Sequence, residues 1–139
     1  MARQPGNSTT SMPWDANYVP HDDTVVVTHT GEVSLRDAQE QANLVISLLQ
    51  QTKASRLLFD YSDATMDIPA ADLATLPDYY TIQGVPHDRR IAYLISTAED
   101  KAHPFIYFQI LARQKGFDIS LFNSKDAAMH WLKTGSLFQ

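Results

Sequence analysis

The chain has 139 residues and a formal net charge of −5, and 44% of its residues are hydrophobic. This length predicts one domain with a sizeable core. The acidic balance disfavours nucleic acid as a partner, and the absence of cysteine excludes disulfides, thiolate metal sites and cysteine nucleophiles. No apolar run approaches the roughly 20 residues that span a bilayer, and no signal peptide is recognisable. We therefore expect a cytoplasmic protein without a membrane span.

The N-terminal stretch is polar. Residues 1–22 are rich in Gln, Pro, Gly, Asn, Ser and Thr around Trp14 and Tyr18. Such a composition buries too little apolar surface to offset chain entropy. We expect a tail over residues 1–22 and a single domain over residues 23–139. The β-branched run at residues 24–29 predicts the first strand, followed by a turn or bulge.

A helix and a buried strand follow. Ser34 and Asp37 have the spacing of a capping box, and apolar residues then recur at helical intervals. This pattern predicts a helix over residues 35–52. The compact apolar run at residues 56–61 is too short for a helix and is typical of a strand covered on both faces.

The next segment is predicted to be a loop that leads into a second helix. Ser62, Thr65 and Asp67 lie between the central strand and Pro69, whose missing N–H suits the first turn of a helix. Pro77 either ends that helix or opens a second turn. Open α/β sheets bind ligands most often at such strand ends, although a capped, solvated loop explains the same residues.

Two further strand and helix pairs complete the pattern. Residues 90–95 predict a strand, and Thr97 with Asp100 indicates a cap for a third helix that runs to about residue 113 and ends at Gly116. Pro104 predicts a kink or a separate turn in that helix. Residues 118–122 predict the last strand, before a final helix that is capped by Asn123 or Ser124 and reaches residue 133. The alternation predicts an α/β fold with a mixed, largely parallel sheet of four to five strands.

The C-terminal segment resembles the SpoIIAA-like family, which is related to STAS domains (sulfate transporter and anti-sigma factor antagonist). The resemblance covers residues 24 to 132, and its most specific part is a strand that closes on Phe122 and continues through Asn123, Ser124, Asp126, Ala127, Ala128, Trp131 and Leu132. It implies a mixed sheet with the first strand antiparallel at one side and helices packed about it.

The resemblance also carries expectations about function. In the related anti-sigma antagonists a strand ends in an aspartate, and the next loop delivers an Asp-Ser pair whose serine is phosphorylated. Here Asp60 and Asp67 match the acidic positions, but the serine position holds Ile68 or Pro69, neither of which has a hydroxyl. Members without the serine resemble apolar-ligand carriers of the CRAL-TRIO type, which implies a hydrophobic cavity between helices and sheet.

The third predicted helix is apolar on nearly every side. This indicates either a deeply buried helix or a helix with one face against a ligand, a protein partner or a second copy in a homodimer. The candidate surface comprises Tyr79, Tyr80, Phe105, Tyr107 and Phe108. If Phe105 and Phe108 lie against the sheet, the 100° step between residues places Tyr107 on a different face.

No catalytic motif is recognisable. The histidines lack the i,i+3 or i,i+4 pairing that builds a metal site on a helix, and they stand at His21, His29, His87, His103 and His130. Neither a nucleophile elbow nor a phosphate-binding glycine loop is present. We therefore expect a non-catalytic binding or regulatory domain without metal or cofactor. It binds either an apolar small molecule or lipid in a pocket near the second and third helices, or a protein partner as anti-sigma antagonists do.

Overall fold

The computed structural model describes residues 13–137, except for the side chain of Glu99. Residues 1–12 of the predicted tail lie outside the described residues. The strands are β1 (Trp14–Val19), β2 (Thr24–Val33), β3 (Arg56–Met66), β4 (Arg90–Ile95) and β5 (Asp118–Phe122). The helices are α1 (Leu35–Thr52), α2 (Ala70–Leu73), α3 (Leu76–Gln83), α4 (Glu99–Gln114) and α5 (Lys125–Thr134), with a 3-10 turn at Pro20–Asp22.

The five strands form one mixed sheet in sequence order, with β1 antiparallel to β2 and every later pair parallel. The larger core lies between one face of the sheet and the helices α1, α3 and α4. The helix α5 covers the other face, where Trp131 and Leu132 pack against Leu58 and Leu94. Crossovers of one hand between strands in sequence order place their helices on the same face, as α1, α3 and α4 are, and α5 returns over the opposite face. The predicted α/β class and largely parallel sheet are confirmed.

The strand β1 corrects the expected N-terminal tail. Trp14 and Tyr18 pair with His29 and Val25 of β2, and the Trp14 side chain is only 8% exposed. The segment alternates larger and more polar residues, a period-2 pattern that suits an edge strand with one covered face. Residues 14–22 therefore form a strand and a turn rather than a tail. The resemblance implied an antiparallel first strand, and β1 supplies it.

The strands β2 and β3 are both longer than predicted. Thr30–Glu32, expected as a turn, continues β2 beyond a register shift between Thr28 and Thr30. The extension pairs with the far end of β3, where Asp63 and Met66 align with Thr30 and Val33. Ser62 and Thr65 therefore lie in a strand, and the predicted loop shrinks to the few residues before α2.

The predicted helices form with small changes. Ser34 and Asp37 make the reciprocal capping box of α1, and Ser124 caps α5 by accepting from the Ala127 N–H. Pro77 opens the separate helix α3 rather than ending the one before it. The helix α4 lacks the expected cap, because Ala98 occupies that position, and Pro104 lies inside a continuous helix.

Candidate interaction surface

The inner face of α4 belongs to the core. Phe105 and Phe108 are only 1% and 2% exposed, and Ala112 one turn further on is also buried. The Phe105 ring lies 5.7 Å from that of Tyr61, and the Phe108 ring lies 5.8 Å from that of Tyr93. Phe105 and Phe108 are therefore core side chains, which corrects their place in the candidate surface.

The outer face of α4 carries three exposed apolar side chains: Ile106, Tyr107 and Ile110 are 42%, 39% and 50% exposed. Their positions follow from the 100° step, since residues 106 and 110 are one turn apart and residue 107 lies beside them. We call these three residues the α4 outer face. Tyr107 thus occupies the separate face expected for it.

The two tyrosines of α3 have different environments. Tyr80 is buried, with its ring 5.9 Å from Phe108 and 6.3 Å from Phe117, and burial raises its pKa to about 12. Tyr79 is half-buried, and its hydroxyl lies 3.1 Å from the Asn43 side-chain amide nitrogen of α1. Tyr80 is therefore part of the core, while Tyr79 joins α3 to α1. Neither residue extends the α4 outer face.

An open groove adjoins the α4 outer face at the carboxyl ends of β4 and β5. It has a volume of about 460 Å³, and its walls include Ile95, Ser96, Ile106, Leu121, Phe122 and Asn123. The carboxyl ends of parallel strands are the usual binding edge of an open α/β sheet. Ile106 belongs both to this strand-end groove and to the α4 outer face, so the two form one continuous surface.

The apolar cavity between the helices and the sheet is small in the described part of the chain. Phe59, Tyr80, Phe108 and Ile119 surround a cavity of about 10 Å³, close to the roughly 10–15 Å³ that a single water needs. A pocket for a drug-sized or lipid-like molecule spans about 300–1,000 Å³. The lipid pocket suggested by the carrier resemblance is therefore unsupported.

The predicted strand-end residues do not converge on a shared site. The Asp60 carboxylate accepts from both the hydroxyl of Ser62 at 2.6 Å and its backbone N–H at 3.1 Å. Thr65 is half-buried opposite Glu32, and the Asp67 N–H donates to the Val33 carbonyl at 2.9 Å. These contacts are local and consolidate the β2–β3 extension.

A buried polar cluster lies beneath the register shift of β2. His29, Gln41 and Tyr61 are each at most 2% exposed. The Tyr61 hydroxyl donates to the Gln41 carbonyl oxygen, and the Gln41 amide nitrogen lies 2.8 Å from Nδ1 of His29. Because an amide nitrogen only donates, Nδ1 accepts, and Nε2 carries the proton that it donates to the Glu32 carbonyl at 2.9 Å. Burial raises the pKa of Tyr61 well above its usual value.

The sequence pattern does not predict this cluster, because His29 is the last residue of the predicted first strand. One signal could have identified Gln41. It lies between Ala38 and Ala42 on the apolar stripe of α1, which is the face that must meet the sheet. A polar residue at such a position requires buried hydrogen-bond partners.

A polar hollow of about 270 Å³ lies at the amino ends of the parallel strands, opposite the strand-end groove, and includes Arg56 and Arg90. Both guanidinium groups donate to the Leu132 carbonyl in the last turn of α5, at 3.3 and 3.0 Å. Cations in this position satisfy free carbonyls and the negative end of the helix dipole. The two arginines are thus engaged in holding α5.

Within residues 13–137, no three His, Asp or Glu side chains are grouped to hold a metal ion. None of the helices in that range combines the length and hydrophobicity required to cross a membrane.

Comparison with known proteins identifies the fold. No protein-family model matches the chain, and no curated protein resembles it in sequence. A structure of an uncharacterized DUF3478-family protein with a SpoIIAA-like fold, from Shewanella loihica, aligns with 91% of this chain and 99% of its own at 14% identity, with a TM-score of 0.58. An anti-sigma factor antagonist from Mycobacterium paratuberculosis aligns with 89% of this chain and 99% of its own at 17% identity, with a TM-score of 0.56. The chain therefore has the SpoIIAA-like fold that its C-terminal segment suggested.

Proposed function

We propose that this chain is a non-catalytic regulatory module that binds a protein partner through the α4 outer face and the strand-end groove. The observation that carries the proposal is the exposure of Ile106, Tyr107 and Ile110 on a helix whose inner face already closes the core. Between 39% and 50% of the surface of each of these residues remains in water after folding. Contiguous apolar residues that remain in water usually mark an interaction site.

The shape of the surface favours a protein over a small apolar ligand. The groove of about 460 Å³ is open, and it continues onto a convex helix face instead of enclosing its contents. Small-molecule sites usually bury most of the ligand surface, whereas protein interfaces combine an apolar centre with a polar rim. Here Ser96, Thr97 and Asn123 supply polar groups along the groove. The fold shared with an anti-sigma factor antagonist supports a regulatory role by analogy.

The proposal does not use a phosphorylated serine. Ile68 is buried at the position that the resemblance assigns to the serine, and the neighbouring candidate is Pro69. The hydroxyl of Ser62 already donates to Asp60, and a phosphate there would lie against a carboxylate. Control of binding is therefore expected from the partner or its abundance rather than from this strand end.

The test uses Tyr107→Glu, with Ile82→Glu as the matched control. Ile82 is also an exposed apolar residue, but it lies on α3, outside the proposed surface. The tagged parent and both variants are used to purify partners from cells of the source organism, and captured proteins are titrated in purified form. Both variants should keep the parent's unfolding free energy within about 1 kcal/mol.

Association with the partner should weaken at least about tenfold for Tyr107→Glu and stay unchanged for Ile82→Glu. Sedimentation of the purified parent tests the alternative that the partner is a second copy in a homodimer. Equal affinity of the parent and Tyr107→Glu for every captured protein would contradict the proposal. Collapse of the Tyr107→Glu fold would show that this position is core.

A further inference from the structure

The strand β5 is an edge of the sheet. Among residues 13–137 it pairs only with β4, so its other side presents main-chain groups without a neighbouring strand. Proteins usually protect such an edge by charge, by a bulge or by a covering element, because an exposed edge is a template for another chain.

Arg113 of α4 protects one half of this edge. Its Nε donates to the Ile119 carbonyl at 2.9 Å, and its Nη2 lies 3.0 Å from the Ser120 hydroxyl. The Ile119 carbonyl therefore points away from β4. Main-chain groups along a strand alternate in direction, so the N–H and C=O of Leu121 point the same way.

The other half of the edge remains open. Within residues 13–137, no main-chain bond outside the sheet ladder involves Leu121, so its outward N–H and C=O remain open. Ile106 and Leu121 line the same groove, and Arg113 contacts Ile119 in the N-terminal half of β5. Residues 106, 110 and 113 follow one another along one helix face, so Ile110 lies above the edge between these two contacts. The open main-chain groups thus adjoin two exposed isoleucines.

We infer that the partner binds as an extended peptide segment that pairs with Leu121 at the β5 edge as a sixth strand. Its apolar side chains, at alternate positions, lie over Ile106 and Ile110. This inference rests on the proposed function, which requires only that a protein binds this surface. The juxtaposition of open main-chain hydrogen-bonding groups with an apolar trough is the arrangement that strand addition uses, where the main chain supplies affinity and alternate side chains supply specificity.

The same geometry disfavours a second copy of this chain as the occupant. A twofold axis at Ser120 would place Ile119 opposite Leu121 of the other copy. These antiparallel pairs would use the Ile119 carbonyl, to which Arg113 already donates. An axis at Leu121 would pair only Leu121 with its own copy, because the next outward pair joins Ile119 to Asn123, which lies beyond the end of β5. A peptide can pair with Leu121 and continue past Phe122 without displacing Arg113.

The experiment selects short random peptides displayed on phage against the full chain and then synthesises those that bind. Ile110→Glu is the edge variant, and Ile82→Glu is the control, because both side chains are exposed and neither closes the core. Amide hydrogen exchange of Leu121 is followed by NMR with and without peptide. Peptides with single N-methylated amides test which of their N–H groups pair with the edge.

The expected result is a set of peptides with apolar residues at alternate positions, whose binding slows Leu121 exchange at least about tenfold. Ile110→Glu should weaken them at least about tenfold, and Ile82→Glu should not. N-methylation should abolish binding at the one peptide residue whose N–H donates to the Leu121 carbonyl, and it should not do so at the two neighbouring residues. Peptides with helical spacing, an unchanged Leu121 exchange rate, absence of Ile110-dependent peptides, or a dimer joined through β5 would each overturn the inference.

The two proposals fail separately. Loss of the natural partner in Tyr107→Glu with unprotected Leu121 would leave the interaction module standing and refute the added strand. An unaffected natural partner in Tyr107→Glu would refute the proposed function. Edge-binding peptides would in that case establish only a strand-adding edge.

Discussion

Replacement of Gln41 by leucine should destabilise the fold strongly, although the two side chains are similar in size. The Gln41 amide accepts from the Tyr61 hydroxyl and donates to Nδ1 of His29. Within residues 13–137, no other side chain joins these two groups. Gln41→Leu leaves both of these polar atoms buried without that partner. Each orphaned group costs about 1–3 kcal/mol, so the expected loss is about 2–6 kcal/mol. A domain of this kind is stable by only about 5–15 kcal/mol in total.

The assay is urea unfolding followed by the fluorescence of Trp14 and Trp131, which are both buried. Gln51→Leu is the control, because Gln51 is exposed on the same helix, and its free energy of unfolding should change by no more than about 0.5 kcal/mol. Tyr61→Phe removes the hydroxyl that Gln41→Leu would leave without a partner. The free energy of unfolding of the double variant should therefore fall by less than the sum of the two single losses, with a difference of about 0.5–3 kcal/mol. A Gln41→Leu loss below about 1 kcal/mol, or strict additivity, would refute the reasoning.

Two further predictions concern the N-terminal part of the sheet. Trp14→Ala should lower the free energy of unfolding, measured in urea, by about 3–5 kcal/mol, because the side chain is buried on an edge strand. An unchanged urea midpoint would show that residues 14–19 contribute no more to stability than a tail. Hydrogen bonds from Ser55 and Tyr18 lower the pKa of Asp23. The Asp23 carboxylate therefore binds a proton more readily in the unfolded chain than in the folded one. Its contribution to stability is present above the pKa of the unfolded state and is lost as pH falls through the pKa of the folded state. Urea midpoints measured between neutral and acid pH should decline less steeply for Asp23→Asn, and parallel curves would contradict this.

Local signals in the sequence predicted much of the fold. The capping box at Ser34 and the apolar spacing of α1 predicted that helix with its observed bounds, and the bounds of β4 and β5 also agree with the prediction. These elements depend on neighbouring residues: a cap satisfies the first turn, and a short β-branched or aromatic run suits a pleated, covered strand. The 100° step likewise placed Tyr107 correctly on a face apart from Phe105 and Phe108.

Long-range pairing explains most of what the sequence did not predict. Residues 62–66 form a strand only because β2 continues past Thr28 and supplies hydrogen bonds more than thirty residues away in the chain. The strand β1 gains its stability from β2 in the same way, so its polar composition was misleading. The partners of Gln41 are 12 and 20 positions distant, and no local pattern connects them. Open groups on an edge, such as those of Leu121, become visible only when the strand order is known.

The β2–β3 extension also bears on where the proposed regulatory module could be controlled. By the resemblance, anti-sigma antagonists deliver their serine from a loop after the strand that ends in an aspartate. Here the strand continues past Asp60 to Met66 and is paired along that length with β2, and the Asp67 N–H adds a further bond to Val33. A switch at this end would have to break a paired strand. At the β5 edge the proposed partner adds hydrogen bonds without breaking any in the sheet, and it covers Ile106 and Ile110, which are 42% and 50% exposed. The surface proposed for the partner is therefore the one at which binding requires no break in the paired strands of the sheet.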